Sequence, residues 1–352
     1  MLNWLRRRRP TEALAHPGWW QVIGLLPALA PSELGELPPL LESVLAIWVL
    51  VWQGARHAYP KADVLSRLRR LRFALQAWAR RDEWRALREA RAGSQLGRSV
   101  QARNGMMHIV AWPYIHRDWT IRQRIDTVVE HYHQIEQRRW LQVPLGARHV
   151  LARLEPASSA LSLQLDRPEW FSHEGELVLS LFEGDARLYS VAFSFGRRNG
   201  QPVVYVGAIQ GRSGEGMSER YAALTRELHG CRPRDLVVWS LLFIAEALQI
   251  DKLYAVSDQC RHLRVARLFG RTNSRPSADY DEIWRDRGGV ATAEGFFVMD
   301  TRYAPRPLEE IPARKRAMYR RRYEMLGQLR ASLRRCAAVD RPPVELLREP
   351  AV

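Results

Sequence analysis

The sequence is poor in cysteine. Its three cysteines, Cys231, Cys260 and Cys336, stand among 352 residues, and none of them forms a CxxC pair or a Cys/His set with metal-ligand spacing. An odd and sparse cysteine count excludes a scaffold built on disulfides and indicates a reducing compartment. The sequence has one acidic cluster, DYDEIW (279–284), and no second one at metal-ligand spacing, so it predicts no metal site.

The sequence also lacks a long apolar run. The most apolar stretch, SVLAIWVLVW at residues 43–52, is bounded by Glu42 and Gln53. Ten residues are too few to cross about 30 Å of hydrocarbon as a helix, which takes about 20. Two interpretations stay open, a buried helix or a helix at a membrane interface with Trp48 and Trp52 at headgroup level. The start of the chain has positive residues with no apolar core after them, so no secretory signal peptide is predicted.

Acidic residues are scarce at the two ends of the chain. Residues 1–100 hold 16 Lys and Arg against 8 Asp and Glu, and residues 301–352 hold 13 against 6. Residues 101–300 are nearly neutral, with 25 against 24, so the net charge of +16 belongs to the ends. A basic end attracts phosphate, on nucleic acid or on an anionic membrane surface. The neutral middle and the lack of a recognised binding motif in the sequence disfavour nucleic acid.

We therefore predict peripheral, salt-sensitive association with an anionic membrane surface. Its carriers would be Arg6–Arg9, the helices of residues 61–91 and Arg314–Arg322. The second of these segments places apolar residues at helical spacing among many arginines. It reads either as an ordinary helix with a solvated arginine face or as a binding surface; the apolar residues are Leu65, Leu68, Leu71, Phe73, Leu75 and Trp78.

The chain divides into four regions by pattern. Residues 1–100 are predicted to be a basic helical region, residues 101–147 a helical connector, residues 148–305 a mixed α/β core and residues 306–352 a basic C-terminal helix with a tail. The core begins with strands of period-two alternation, as in GELVLSLFEGDARLYSVAFSFG. The predicted fold class is α+β or α/β, with a mixed sheet flanked by helices.

A parallel βαβ unit is predicted in the middle of the core. VVYVGAIQG (203–211) has the β-branched and small residues of a buried strand, and RSGEG is too rich in glycine to continue it. RPRDLVVWSLLFIAEALQI (232–250) is a long apolar helix with Pro233 near its start, and KLYAVSD (252–258) is a second strand. The two strands should be adjacent and parallel, with the helix as a right-handed crossover and GFFVMDTRY as a final strand.

Ligands of such units bind where loops leave the carboxyl ends of the strands. Glycines in the loop after residue 209 would let backbone N–H groups approach a pyrophosphate or a pantetheine, with help from the dipole of the next helix. The loop is neither a Walker A nor a GxGxxG sequence, and a plain turn is the alternative. The candidate cofactor-binding residues are Gly207, Gln210, Gly211, Arg212, Gly214, Gly216 and Ser257.

Catalytic candidates follow the second strand. Asp258 and His262 are four residues apart at the start of a predicted helix, which would place them on one face. A carboxylate beside a histidine suits a general base, although a surface pair or a helix cap has the same spacing. DYDEIW (279–284) adds Asp281 as a third catalytic candidate. Its neighbours Asp279, Tyr280 and Trp284 are the candidate substrate contacts.

These segments, in this order over about residues 100–335, resemble the VirK/YbjX family of Gram-negative bacteria. The clearest carriers are LYAVSDQCRHLR, DYDEIWRDRGG and IPARKRAMYRRRYEML. The resemblance implies an association with virulence, resistance to cationic antimicrobial peptides and the state of the outer membrane or lipid A. It implies no established catalytic residues. The family pattern Ser-Asn-x-x-His after the second strand is altered here, because Asp258 replaces the amide and His262 comes one position late.

The order of elements is also similar to that of GNAT acyltransferases, and the glycine loop approximates their Gln/Arg-x-x-Gly-x-Gly loop with one residue more. The similarity implies a GNAT-like core that takes an acyl group from acyl-CoA or acyl carrier protein, with no tightly bound cofactor. The hypothesis is an acyltransferase-like protein, cytoplasmic or peripheral on the inner membrane, that acts on the bacterial envelope. The alternative is a non-catalytic envelope-stress, membrane-binding or nucleic-acid-binding protein, and the sequence leaves open whether it is an enzyme.

Overall fold

The computed structural model describes residues 44, 47–48, 51–56, 59, 61, 63–103, 106–154, 161–262, 279–302, 304–340 and 346–348. Two units make up the chain, residues 1–89 with 99–111 and residues 90–98 with 112–352. Two predicted features, the basic cluster Arg6–Arg9 and the continuation of a helix beyond His262, lie outside the described residues.

The first unit consists of helices and turns in its described part and has no strand there. Its helices are residues 51–56, α1 (Val64–Ala79), α2 (Arg85–Arg88) and α4 (Met107–Ala111), while α3 (Gln95–Ala102) is shared between the units. Helix α1 begins after Asp63, whose carboxylate accepts the Ser66 N–H at 2.7 Å and so caps the helix. It buries Phe73, Ala74 and Ala77, and the Trp84 indole N–H donates to the Ala77 carbonyl oxygen at 2.9 Å.

The apolar run at residues 43–52 contributes to this unit as a buried helix. Ile47, Val51 and Ala55, spaced by four residues, are buried, and Trp48 stacks on Trp78 with ring centroids 4.9 Å apart. Of the two interpretations of this run, its described residues support the buried helix. Within the described part of the chain, no helix combines the length and the apolar character needed to cross a bilayer.

The second unit is built on one mixed sheet with the spatial order β7-β8-β6-β5-β4-β3-β2-β1-β9. The pair β5–β6 is parallel and all other neighbours are antiparallel. Strands β2 and β3 are buried along almost their whole length, as expected where both faces of a sheet are covered. The strands are β1 (Ala147–Arg153), β2 (Leu161–Asp166), β3 (Leu177–Glu183), β4 (Ala186–Arg198), β5 (Gln201–Gly211), β6 (Lys252–Val256), β7 (Val290–Ala291), β8 (Phe296–Asp300) and β9 (Leu346–Arg348).

Five helices complete this unit: α5 (Ile121–Glu136), α6 (Met217–Glu227), α7 (Pro233–Ala247), α8 (Tyr280–Arg285) and α9 (Ala313–Val339). Helix α5 packs on β4, α7 packs on β3, β4 and β5, and α9 packs on α7 and β1. Helix α7 starts with Pro233 at its first position, where the missing N–H costs nothing. Its apolar sequence is buried almost all round because α9 covers the side that the sheet does not.

The predicted βαβ unit is confirmed. Strands β5 and β6 are adjacent and parallel, α7 connects them, and the antiparallel strands before them and β8 after them are present. The mixed fold with a helical first part and a long C-terminal helix is confirmed as well. Three short elements were not anticipated. They are β7 at one edge of the sheet, the three residues of β9 at the other edge, and β1, which pairs with β9.

A bulge interrupts β5 at Gly207. Phe193 of β4 pairs with Val206 and Ala192 pairs with Ala208, so Gly207 is an extra residue on β5. A Cβ at this position would stand 2.1 Å from the carbonyl oxygen of Glu174. Only glycine therefore lets the backbone of residue 174 approach the bulge so closely.

Substitution of Gly207 by alanine should destabilise the second unit. Relief of the 2.1 Å contact requires a backbone shift, for which overpacking typically costs about 1–3 kcal/mol of unfolding free energy. Gly327→Ala is the matched control, because no atom lies within 4 Å of a Cβ there and alanine is the better helix former by about 1 kcal/mol. Urea denaturation of both variants measures the difference. Equal stability of the two would mean that Gly207 is not sterically required.

Candidate functional site

The parallel pairing of β5 and β6 stops after three residue pairs. Val204 pairs with Leu253, Tyr205 with Tyr254 and Val206 with Ala255, whereas β5 continues to Gly211 beside β4 alone. The bulge at Gly207 lies directly after the last pair. We call the space between the two strand ends beyond Val206 and Ala255 the fork.

Helix α8 bridges the two sides of the fork. The Ile209 N–H of β5 donates to the Tyr280 hydroxyl oxygen at 2.9 Å, and the Trp284 indole N–H donates to the carbonyl oxygen of Val256 at 3.0 Å. Both side chains are 1% exposed. Tyr280 and Trp284, predicted as substrate contacts, therefore satisfy the backbone of the separated strands in this structure, and their contact with a substrate stays a prediction.

A buried carboxyl group lies at the base of the fork. Glu174, between the short 3-10 turn at Glu169–Phe171 and β3, is 3% exposed. The amide nitrogen of Gln210 lies 3.1 and 3.2 Å from its two carboxyl oxygens. Burial raises the pKa of Glu174 to about 8, against the opposing influence of the nearby Arg261 and of the Gln210 hydrogen bond. Such a carboxyl can exchange a proton near neutral pH.

His262 is the titratable neighbour of Glu174. Its Nδ1 lies 3.8 Å from Glu174 Oε1, beyond hydrogen-bond distance, and its ring stacks on His173 at 5.8 Å between centroids. Burial lowers the pKa of His262 to about 3, and the nearby His173 and Arg261 add to the effect. The imidazole is therefore neutral at physiological pH.

The segment after β6 is not the helix that the sequence predicts. Residues Asp258–Cys260 form one 3-10 turn, and Arg261 is already extended, with φ −57° and ψ 143°. It forms an antiparallel bridge with His116. Asp258 and His262 consequently do not share a helical face, and the prediction of their pairing is wrong. Asp258 lies 3.4 Å from the Arg261 guanidinium, and the carboxylate near His262 is Glu174.

Asp281 and Asp279 have local partners in the structure. Asp281 accepts the Asp258 N–H at 2.8 Å and so ties α8 to the turn after β6. Asp279 caps α8 by accepting the Glu282 N–H at 3.0 Å. Arg261 completes this side of the fork, with its guanidinium carbon 3.8 Å from the centroid of the Tyr280 ring.

A cleft of about 540 Å³ opens beside the turn after β6. Ser257 and Asp281 line it, together with His116, Cys260 and the turn between β7 and β8. Ile115, which positions His116, has a φ of 56°, a strained value for a β-branched residue. Its N–H donates to the His173 carbonyl oxygen at 2.8 Å, so the strained segment is held against the residue preceding Glu174.

Three side chains near this cleft are of metal-ligating type. His116, Asp118 and Cys260 bring a nitrogen, a carboxylate oxygen and a sulfur within 4.8 Å of one another, a donor set that suits zinc. His116 Nδ1, however, accepts the Asp118 N–H at 3.2 Å, which assigns the ring proton to Nε2. For a metal to bind Nε2, the ring proton would have to move to Nδ1, and Nδ1 could then no longer accept the Asp118 N–H.

The predicted cofactor-binding residues fall into three groups. Gly207 and Gln210 belong to the fork, and Ser257 lines the cleft of about 540 Å³. The exposed end of β5 and the loop that leads from it into α6 hold the others, Gly211, Arg212, Gly214 and Gly216. Tyr221 anchors this loop, since its hydroxyl group lies 2.8 Å from the carbonyl oxygens of Leu188 and Arg212. A second cleft, of about 420 Å³, adjoins the loop and is lined by Tyr189, Tyr221, Ala222, Thr225, Arg232, Pro233 and Arg234.

Sequence reasoning missed Glu174, His173 and Arg261. The signal for Glu174 was weak: HEGEL places two acids directly before the apolar strand LVLSLF, but a glutamate is rarely buried. Both Glu174 and Glu176 are in fact buried. Nothing in the sequence pattern links Glu174 to Gln210 or His262.

The buried state of Glu174 has a consequence for stability. An unfolded glutamate ionises near its ordinary pKa of 4.5, whereas the folded one holds its proton up to a pKa of about 8. The wild-type protein therefore loses stability as the pH rises between these values. Glu174→Gln, which stays neutral, should gain stability relative to wild type by a few kcal/mol from about pH 5 to about pH 8.

Denaturant unfolding across this pH range measures the effect. Glu219→Gln, a change at an exposed position of α6, is the control and should show a difference from wild type that is constant with pH. A constant difference for Glu174→Gln would contradict a raised pKa at this site.

Comparison with known proteins gives a family match and three relatives. The model of the family described as "Protein of unknown function (DUF535)" matches residues 64–335. The Escherichia coli K12 protein named "Uncharacterized protein YbjX" is 26% identical over 233 residues, which are 63% of this chain and 68% of that protein. Two Haemophilus influenzae proteins, each named "Uncharacterized protein", are 27% identical over 211 residues and 28% identical over 156. They cover 59% and 44% of this chain, and 69% and 50% of their own lengths.

Proposed function

This chain belongs to the DUF535 family, and from the geometry of the fork we propose that it transfers an acyl group from a thioester donor to an amine or hydroxyl of the bacterial envelope. The observation that carries the proposal is the separation of β5 and β6 after three parallel pairs, with a proton-exchanging carboxyl group at the point of separation. The order of strands is similar to that of GNAT acyltransferases, and this similarity supports the proposal by analogy alone.

Glu174 is the proposed general base. An attacking amine or hydroxyl loses a proton as its bond to the acyl carbon forms, the thioester C–S bond breaks, and the thiolate that leaves takes up a proton. A group whose pKa is close to the working pH accepts the first proton most efficiently. Glu174 has a pKa raised to about 8, whereas His262 has a pKa lowered to about 3 and is a weak base. We therefore assign proton transfer to Glu174 rather than to His262 or Asp258, with the neutral imidazole of His262 as a positioning group beside it.

The exposed loop and its adjoining cleft are the proposed donor site. Arg232 and Arg234 line that cleft, and the loop ends at the N-terminus of α6, where backbone N–H groups favour an anion. These features suit the phosphates of acyl-CoA or of the phosphopantetheine of acyl carrier protein. The Ile209 N–H of β5 already donates to the Tyr280 hydroxyl oxygen, so it is not free to bind an amide group of the donor. We therefore place the donor by its phosphates at the loop and not by its amide groups along β5.

One observation favours the alternative of a non-catalytic envelope protein. Helix α8 closes the fork with two fully buried aromatic side chains, and an acyl chain would have to enter beside them.

For an enzyme, the 540 Å³ cleft that Ser257 and Asp281 line opens beside the turn after β6. We propose that the acceptor reaches the site through this cleft.

The test is transfer of a deuterated acyl group, from acetyl-CoA or from a loaded acyl carrier protein, to extracted envelope lipids, followed by mass spectrometry. Wild-type protein should label the lipids. Glu174→Gln should be slower by about 100-fold or more, as is typical for loss of a general base. Glu324→Gln, at an exposed position of α9 outside the proposed site, should be unaffected. His262→Ala removes a positioning group, and we expect it to lose up to about 100-fold because misplacement of a catalytic group can cost that much. Asp281→Asn should raise the acceptor KM more than the donor KM.

A cellular assay separates the two functions. If the protein is catalytic, Glu174→Gln and His262→Ala should fail to restore peptide resistance to a strain that lacks the gene. Two results together would contradict the enzyme hypothesis and leave the non-catalytic one. They are full restoration of resistance by both variants and the absence of labelled lipid with the wild-type protein.

A further inference from the structure

Helix α1 exposes an apolar stripe opposite to its packed face. Val64, Leu68, Leu71 and Leu75 follow one another at spacings of four, three and four residues, and all are between 51% and 72% exposed. Since the helix turns by about 100° per residue, they lie on the side away from Phe73 and Ala77. Together with Leu65, they make five of the nine large apolar side chains that are exposed among the described residues.

The charge around this stripe has one sign. From Lys61 to Arg81 the chain holds seven basic residues and one acid, Asp63, whose carboxylate is engaged as the N-cap of the helix. At about 100° per residue, Arg67 lies on one side of the leucine stripe and Arg72 on the other. In the described part of the chain, no carboxylate lies within ion-pairing distance of Arg67, Arg69 or Arg72.

We propose that this stripe is a membrane-docking surface: α1 lies in the headgroup layer of an anionic bilayer with its leucines towards the acyl chains. An apolar stripe flanked by arginines is the pattern of an interfacial helix, because arginine stems cover apolar surface while the guanidinium groups reach lipid phosphates. A second copy of the chain fits less well, since two such faces would bring arginines against arginines. Nucleic acid would satisfy the arginines but leave the leucines in water.

This inference goes beyond the proposed acyl transfer and does not depend on it. It also differs from attraction by charge alone, which the composition of the chain predicts. Leucine insertion adds an apolar contribution that salt does not screen, whereas the contribution of the arginines falls with ionic strength. The two contributions can therefore be measured separately on the full-length protein.

The experiment is flotation of the full-length protein with vesicles of phosphatidylcholine alone and of an equimolar mixture with phosphatidylglycerol. Wild-type protein should float with the anionic vesicles and keep part of its binding at about 0.5 M salt, where the Debye length is about 4 Å. The triple variant Leu68→Gln, Leu71→Gln, Leu75→Gln should bind at least about tenfold less at both salt concentrations, because interfacial binding scales with buried apolar area.

Two further variants complete the design. Arg67→Gln with Arg72→Gln should reduce binding at low salt and leave the salt-resistant part. Leu145→Gln, at an exposed leucine outside α1, should bind as wild type does. The leucines are exposed, so the triple variant should show a wild-type thermal unfolding curve by circular dichroism.

Three results would overturn the proposal. One is flotation of the triple variant at the wild-type level. Another is failure of the wild-type protein to float with either kind of vesicle. The third is a dimer, detected by light scattering, that the leucine substitutions split without any vesicle binding, since this would assign the stripe to a second copy of the chain.

Discussion

The point at which β5 and β6 part decides how the second unit is built. Three parallel pairs hold the strands together, and the bulge at Gly207 then turns β5 towards β4 alone. A backbone N–H that loses its strand partner inside a protein must find another acceptor. Ile209 finds it in Tyr280, and Trp284 supplies the reciprocal donor to Val256. The position of α8 is therefore a consequence of the separation of the strands.

The same separation explains the electrostatics of the site. Because Gly207 has no side chain, the backbone of Glu174 packs against the bulge, and its carboxyl group comes to lie beside Gln210. Water is excluded there, which penalises every charged form: the pKa of Glu174 rises and that of His262 falls. Burial thus keeps both groups close to neutral, and it leaves in Glu174 a carboxyl whose proton can be exchanged near physiological pH.

Helix α1 of the first unit has apolar residues on two opposite faces. Phe73, Ala74 and Ala77 of α1 face the interior, whereas a second apolar stripe on the same helix faces outward. A helix that only needed to fold would be expected to place polar residues on its outer face. The outward leucines and the arginines beside them form the surface that we propose docks on an anionic bilayer.

Much of the fold could be predicted from the sequence, because its signals are local. The apolar run of α7 with Pro233 at its start, the β-branched strands on either side of it and the basic helix α9 all declare their type within a few residues. The edge strand β9 could not be recognised in this way, since its three residues pair with β1, which lies almost 200 residues away in the chain. The amphipathic pattern of α1 was also evident, but the face that it buries was not.

The site was determined differently. The sequence by itself pointed to two chain segments for a candidate site, after β5 and after β6, because loops at the carboxyl ends of adjacent parallel strands lie at the same edge of a sheet. Only the tertiary structure decided its chemistry. It replaced the expected helix at Asp258 with a short turn, after which Arg261 pairs with His116. It also brought Glu174 close to Gln210 and His262. Burial and proton affinity depend on neighbours that the chain supplies from distant segments, and no local pattern encodes them.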